Sequence, residues 1–230
     1  IETRVPPSTR DRANGGSTGT GGNAANLAQG ITTLKMRDVE DSARLANVSG
    51  GYGAVLGQQA VSYKSINKNA FIFGANADRF NIDKGELDKG RFYTDQEDKA
   101  ASQVAILGSD IAVDLFGDDD PIGKTIRVGS YNFEVIGVYK QRGSFGFSND
   151  DQQVFIPLVT LQKKILGIDH LFYGLVQVKD PAQTEATAED MRTIITKNHG
   201  ITDPNKDDFS VQSAASSLDT FNTVLKGITF

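Results

Sequence analysis

Gly123-Lys124-Thr125 has the tail of a phosphate-binding loop, in which backbone N–H groups cradle phosphate while the Lys and hydroxyl reach its charge and metal. The full motif fails here. The preceding Gly117 is one residue too distant, Asp118-Asp119-Asp120 would repel phosphate, and a strand pattern follows where a helix is needed, so the segment reads as a turn. The glycine tract around Asn14 to Asn23 has no Lys with Ser or Thr opening a helix, and residues 13–30 read as a flexible loop. Asp118-Asp119-Asp120 and Asp150-Asp151 lack the spaced carboxylates and closing Glu of a calcium loop and read as solvated turns. His170 and His199 are the whole histidine complement, too few for a three-His metal site, and neither is accompanied by a Gly-x-Ser-x-Gly elbow; both read as turn or capping residues. With 29 acidic residues some pair always suits a glycosidase, so that signal carries nothing, and no Trp is present to stack on sugar. No catalytic, cofactor-binding or metal-ligating residue is therefore assigned. Phe145 and Phe147, in Arg142-Gly143-Ser144-Phe145-Gly146-Phe147-Ser148, are different: glycine-flanked aromatics in a polar loop either fold back on the core or meet a partner protein.

Composition bounds the classes further. The 230 residues carry 24 Lys plus Arg against 29 Asp plus Glu, a net charge of −5 that argues against a nucleic-acid binder. No Cys is present, which removes disulfides, thiolate nucleophiles and cysteine-held zinc and leaves the redox compartment open. The length suits one large or two small domains with a core that needs no staple. No apolar run approaches the ~18 residues of a membrane span, and Ile1 opens no signal-like segment, so any anchor is expected outside this chain.

The elements that must position such residues alternate between β and α patterns. Leu34, Met36, Val39 and Ala43 have helical spacing. Val61 to Ile66 alternates, Asn67-Lys68-Asn69 is the expected turn, and Ala70 to Gly74 the expected buried strand antiparallel to it. Val104 to Gly108 is a short buried strand, after which Ser109 is the expected N-cap of a helix over Asp110 to Phe116 that Gly117 closes. Lys124 to Val128 and Tyr131 to Val138 flank Gly129-Ser130, a type II′ hairpin signature. Val154 to Ile156 is a strand stopped by Pro157, and Thr160 to Leu166 a helix closed by Gly167. The last third reads as a βαβα return: strand Phe172 to Val178, a helix from Asp180-Pro181 to Asn198-His199-Gly200, strand Phe209 to Gln212, and a final amphipathic helix through Leu218, Phe221, Leu225 and Ile228. That last stripe suits either a sheet-covering helix or a stalk that continues elsewhere.

One set of motifs carries more than its parts. Val104-Ala105-Ile106-Leu107-Gly108-Ser109-Asp110, Leu115-Phe116-Gly117, Asp120-Pro121-Ile122-Gly123-Lys124-Thr125-Ile126, Phe133 to Val138 and Val154-Phe155-Ile156-Pro157-Leu158, in this order and spacing, resemble the extracytoplasmic core domain of MacB-like (FtsX-related) ABC transporter permeases. The resemblance covers most of Val48 to Phe230 and fades over the first 30 residues. It implies an α+β fold of two lobes. A porter-like α/β lobe would combine residues 1–76 and 171–230, and a β-rich insertion, the Sabre-like lobe, would occupy residues 77–170. It further implies a position outside the cytoplasmic membrane between two transmembrane helices, no cofactor, a separate cytoplasmic ATPase domain, a homodimer in the full transporter, and a periplasmic adaptor (membrane fusion protein) as a partner. ATP-driven motion would then pass through this domain to an exported substrate or a partner protein, and Phe145 and Phe147 would face the partner. A free-standing secreted or surface ligand-binding module, such as an adhesin, is the competing class.

Overall fold

The computed structural model describes residues 2–3, 32–145, 148–203 and 207–213. The expected glycine-rich loop and the expected final helix lie outside them. The chain divides into two compact units, Ile1–Gly51 with Phe172–Phe230, and the uninterrupted stretch Tyr52–Leu171. One unit is thus made of both chain ends and the other of the middle.

In the unit of the chain ends, strand β1 (Glu2–Thr3) precedes helix α1 (Met36–Ala43) and the first residues of strand β2 (Val48–Tyr63). The Asp38 carboxylate accepts the Lys35 N–H at 2.8 Å, which satisfies a donor that the helix start would otherwise leave open. Gly51 is needed by close approach: a Cβ there would lie 3.0 Å from Val176 and 3.1 Å from Val39. The remaining elements of this unit come from the far end of the chain and are described below.

The middle unit closes a ring of strands. Its strands are the rest of β2, β3 (Ile66–Ala75), β4 (Leu87–Gly90), β5 (Val104–Leu107), β6 (Thr125–Val128), β7 (Tyr131–Tyr139) and β10 (Gln153–Pro157), with a small hairpin β8 (Ser144–Phe145) and β9 (Ser148–Asn149) before the last. Strand β2 pairs antiparallel with β3, β3 parallel with β10, β10 antiparallel with β5, β5 parallel with β7, and β7 antiparallel with β6. Strand β6 returns to β2 through Val61↔Val128 and Ser62↔Arg127, so the pairing path ends where it began. That closing contact spans two register pairs, and β4 continues past β6 along the same edge of β7. The alternating apolar residues of these strands supply the core, with Ile72, Ile106, Ile126, Phe133 and Phe155 fully buried. Residues 52–76 belong to this unit because β3 and the end of β2 are locked into the ring.

Four helices serve the ring: α2 (Asp78–Asp83), α3 (Asp95–Lys99), α4 (Ser109–Phe116) and α5 (Leu158–Thr160), which continues as a π-helical stretch Leu161–Leu166. Thr94 and Glu97 form a reciprocal cap on α3. Gly117 and Gly167 end α4 and α5 at φ of +57° and +66°, as their places in the sequence require.

Three local expectations are corrected. The β2–β3 turn is Lys64-Ser65, with Lys64 left-handed at φ +51°, and Asn67-Lys68-Asn69 are paired residues of β3; the ribbon simply extends further than its apolar part. The N-cap of α4 is Gly108 rather than Ser109, because Gly108 has the extended backbone of a cap (φ −65°, ψ 153°) and Ser109 is already helical; a Cβ at 108 would also stand 2.3 Å from the Asp150 carbonyl. Phe71, expected in a buried strand, is 55% exposed.

The chain then returns to the first unit as β11 (Tyr173–Val178), α6 (Thr184–His199) and β12 (Phe209–Ser210). Strand β1 pairs antiparallel with both β11 and β12. Asp180 caps the lead-in to α6 by accepting the Ala182 N–H, and Gly200 ends the helix at φ +66°. Ala188, Met191 and Ile195 of α6 pack with Phe209 and Val211 as this unit's core.

Candidate functional site

The hairpin that carries Phe145 is held at its foot rather than along its length. Its strands share two register pairs, Ser144↔Asn149 and Phe145↔Ser148. Phe147 and the Phe145 side chain lie outside the described residues. Below them, the buried Asp151 carboxylate accepts the Arg142 N–H at 2.9 Å and the Gly143 N–H at 2.7 Å. Burial pushes the Asp151 carboxyl up, but those two donors, together with the Ser109 hydroxyl and the Arg142 charge, outweigh it and hold the group below its ordinary range, so the foot is clamped by a carboxylate. The Asn149 side chain accepts the Asp151 N–H, and Arg142 Nη1 meets Asp150 at 3.0 Å. Gly108 fits beneath the Asp150 and Asp151 carbonyls and donates its own N–H to Gln153 at 2.8 Å. The clamped foot fixes where the chain leaves β7 for the hairpin and where it re-enters the ring at β10.

Phe71 adds to this region. In the parallel β3–β10 ladder it is the register partner of Gln153, the residue directly after the hairpin and its 3-10 turn. An exposed Phe on a sheet strand is the kind of side chain that proteins use for contacts. Sequence reasoning missed it, although the alternation that buries Ile72 assigns Phe71 to the opposite face.

The other sequence candidates go elsewhere. Asp119 and Asp120 form exposed ion pairs with Lys64 and Lys89, at 3.5 and 3.7 Å. The His170 carbonyl accepts the Gln162 side chain. His199, at the end of α6, has Nε2 3.2 Å from Asp38 and Nδ1 2.8 Å from Asp208, while Asn198 donates to Asp38 and Asp41. This buried polar cluster joins α1 to α6 and was not legible from a lone histidine. Among the described residues no group of three or more His, Cys, Asp or Glu is placed to hold a metal ion, and no helix is long and apolar enough to cross a membrane.

The chain matches the family model of the MacB-like periplasmic core domain over residues 4–194. It is 30% identical over 190 residues, 82% of its length, to the macrolide export ATP-binding/permease protein MacB of Chlorobium phaeobacteroides, and 29% identical over 202 residues to that of Chlorobaculum tepidum, 86% of its length. It spans only 29% and 30% of those two relatives. Among solved structures, the periplasmic region of MacB from Actinobacillus actinomycetemcomitans superposes with a TM-score of 0.73 at 19% identity, covering 87% of this chain and 88% of that one. The extracellular domain of the noncanonic ABC-type transporter YknZ from Gram-positive bacteria gives 0.70 at 21% identity, covering 93% and 99%. At these identities the two structures speak to the fold alone.

Proposed function

Because the chain belongs to the family of MacB-like periplasmic core domains, we propose that it works as the extracytoplasmic, mechanical part of an ABC transporter permease. The family match over residues 4–194 carries this reading. ATP hydrolysis belongs to a separate cytoplasmic domain, whose motion reaches this one through transmembrane helices on either side. Two copies act together in the transporter, and the motion is delivered to an exported substrate or to a periplasmic adaptor. On this reading the porter-like lobe, expected over residues 1–76 and 171–230, corresponds to the unit of both chain ends, and the Sabre-like lobe, expected over residues 77–170, to the middle unit Tyr52–Leu171, with residues 52–76 moved from the first lobe to the second. Phe145 and Phe147 are the partner-contact residues of this reading, supported by the clamped hairpin foot, and the exposed Phe71 is added to them.

The test is topological first. The chain has no Cys, so Lys179→Cys introduces a single reactive site within it. In the full-length permease, with any cysteines elsewhere replaced, a membrane-impermeant maleimide applied to intact spheroplasts should label that position; labelling only after lysis overturns the reading. Replacing Phe145 and Phe147 with Ser should then weaken adaptor co-purification while leaving the unfolding midpoint in place, and unchanged co-purification removes the partner assignment.

A further inference from the structure

We infer that Tyr52, Asp83, Arg79, Asp150 and Arg142 form a polar relay by which strand β2 sets the clamp at the hairpin foot, where the Asp151 carboxylate holds the Arg142 and Gly143 amides, a regulation of the proposed partner contact that rests on that reading for its biological meaning. Arg79 of α2 is only 4% exposed, with its guanidinium over the rings of Phe73 at 4.2 Å and Phe155 at 4.5 Å. Those rings belong to register partners on β3 and β10. A cation in such a place is tolerable only when carboxylates face it.

The carboxylates come from two places. Asp83, one turn along α2, meets Nε at 2.8 Å. Asp150, at the hairpin foot, meets Nη2 at 3.9 Å. Nη1 has no hydrogen-bond partner among the described residues, and Asp83 and Asp150 are the carboxylates that the described residues bring within 4 Å of this cation. Each has a second partner. The Tyr52 hydroxyl donates to Asp83 at 3.3 Å, and Arg142 Nη1 donates to the same Asp150 oxygen that faces Arg79, at 3.0 Å. Tyr52 lies on β2 where the middle unit begins, and Arg142 is where the chain leaves β7 for the hairpin.

The relay acts on the hairpin because Asp150 precedes Asp151, the clamp. A displacement of Asp150 toward or away from Arg79 carries the Asp151 carboxylate with it, and with that the acceptors of the Arg142 and Gly143 amides. The Arg79–Asp150 contact is the longest in the relay, an ion pair beyond hydrogen-bond reach, and is the joint that gives when β2 moves.

Native-state hydrogen exchange on the whole chain tests this without a partner. Tyr52→Phe removes one hydroxyl far along the relay. It should speed exchange of the Arg142 and Gly143 amides by about tenfold while Ile156, in the ring, keeps its protection. Asp150→Asn should do the same, and the double variant should equal Asp150→Asn alone, the non-additivity expected of members of one chain. Unchanged amides in Tyr52→Phe, effects that add, or a uniform loss of protection that includes Ile156 would each overturn the relay. Because no partner enters this measurement, a negative co-purification result with the Phe145 and Phe147 variants leaves the relay standing, and a failed relay leaves the partner surface open to its own test.

Discussion

Asp98 lies on α3 with its carboxylate buried and accepting the Val159 N–H at the start of α5, at 3.1 Å. Burial pushes this carboxyl up to about 6; the backbone donors and Lys99 oppose the shift, and Asp95 adds to it. An acid with a raised folded-state pKa binds its proton more tightly when folded, so its contribution falls as pH rises from the unfolded value near 4 to the folded value near 6. Asp98→Asn should remove that slope. Denaturant titrations at pH 4 and pH 7 should show wild type losing about 1–3 kcal/mol relative to the variant over that interval; parallel profiles would contradict the assignment. Glu97 has the opposite sign. Arg91 grips it with two 2.8 Å hydrogen bonds and holds it down to about 2, so its support is present above the ordinary Glu value and is lost as pH falls toward 2. Glu97 was partly legible, since Thr94 and Glu97 have the spacing of a helix cap. Asp98 was not: its partner is 61 residues away, and the His199–Asp38 contact spans 161. Local windows reveal caps and turns, whereas a buried charge is defined by whatever the tertiary fold brings to it.

At the scale of elements, glycines separate two physical causes. Gly108 has ordinary backbone geometry but no room, with a Cβ falling 2.3 Å from the Asp150 carbonyl and 2.5 Å from that of Asp151. Gly123 has open space around it but a φ of +74°. Gly108→Ala must therefore move the hairpin foot, at an overpacking cost of about 1–3 kcal/mol, and should speed exchange of the Arg142 and Gly143 amides. Gly123→Ala should cost roughly 1 kcal/mol through backbone strain and leave those amides alone. Equal effects on the hairpin would show that the foot is not seated on Gly108. The same contrast explains what was readable along the chain. Gly129-Ser130, Gly117, Gly167 and Asp180-Pro181 act through local dihedrals, and the elements they delimit fall where expected. The β2–β3 turn and the α4 cap were misplaced because ribbon length and the neighbour above Gly108 are set by pairing and packing.

At the scale of the molecule, the two units differ in how their chains are arranged. The middle unit is one uninterrupted stretch whose strand pairing returns from β6 to β2, so every strand of the ring has both neighbours inside Tyr52–Leu171. A closed ring with Ile72, Ile106, Ile126 and Phe133 fully buried has a core of its own, and its length is within the range in which single domains fold alone. The other unit is assembled from segments at opposite ends of the chain, and its β1 finds its partners β11 and β12 only there. The expected outcome is asymmetric. A polypeptide comprising residues 52–171 should unfold in a single cooperative transition, and Phe133→Ala within it should cost about 3–5 kcal/mol. Residues 1–51 alone should give no such transition, since the strands that β1 needs lie beyond residue 171. A broad, non-cooperative melt of 52–171 would mean that ring closure does not confer independence. A sharp one would identify the middle of the chain as a body that can move as a whole, which is the property that a mechanical reading of this family requires.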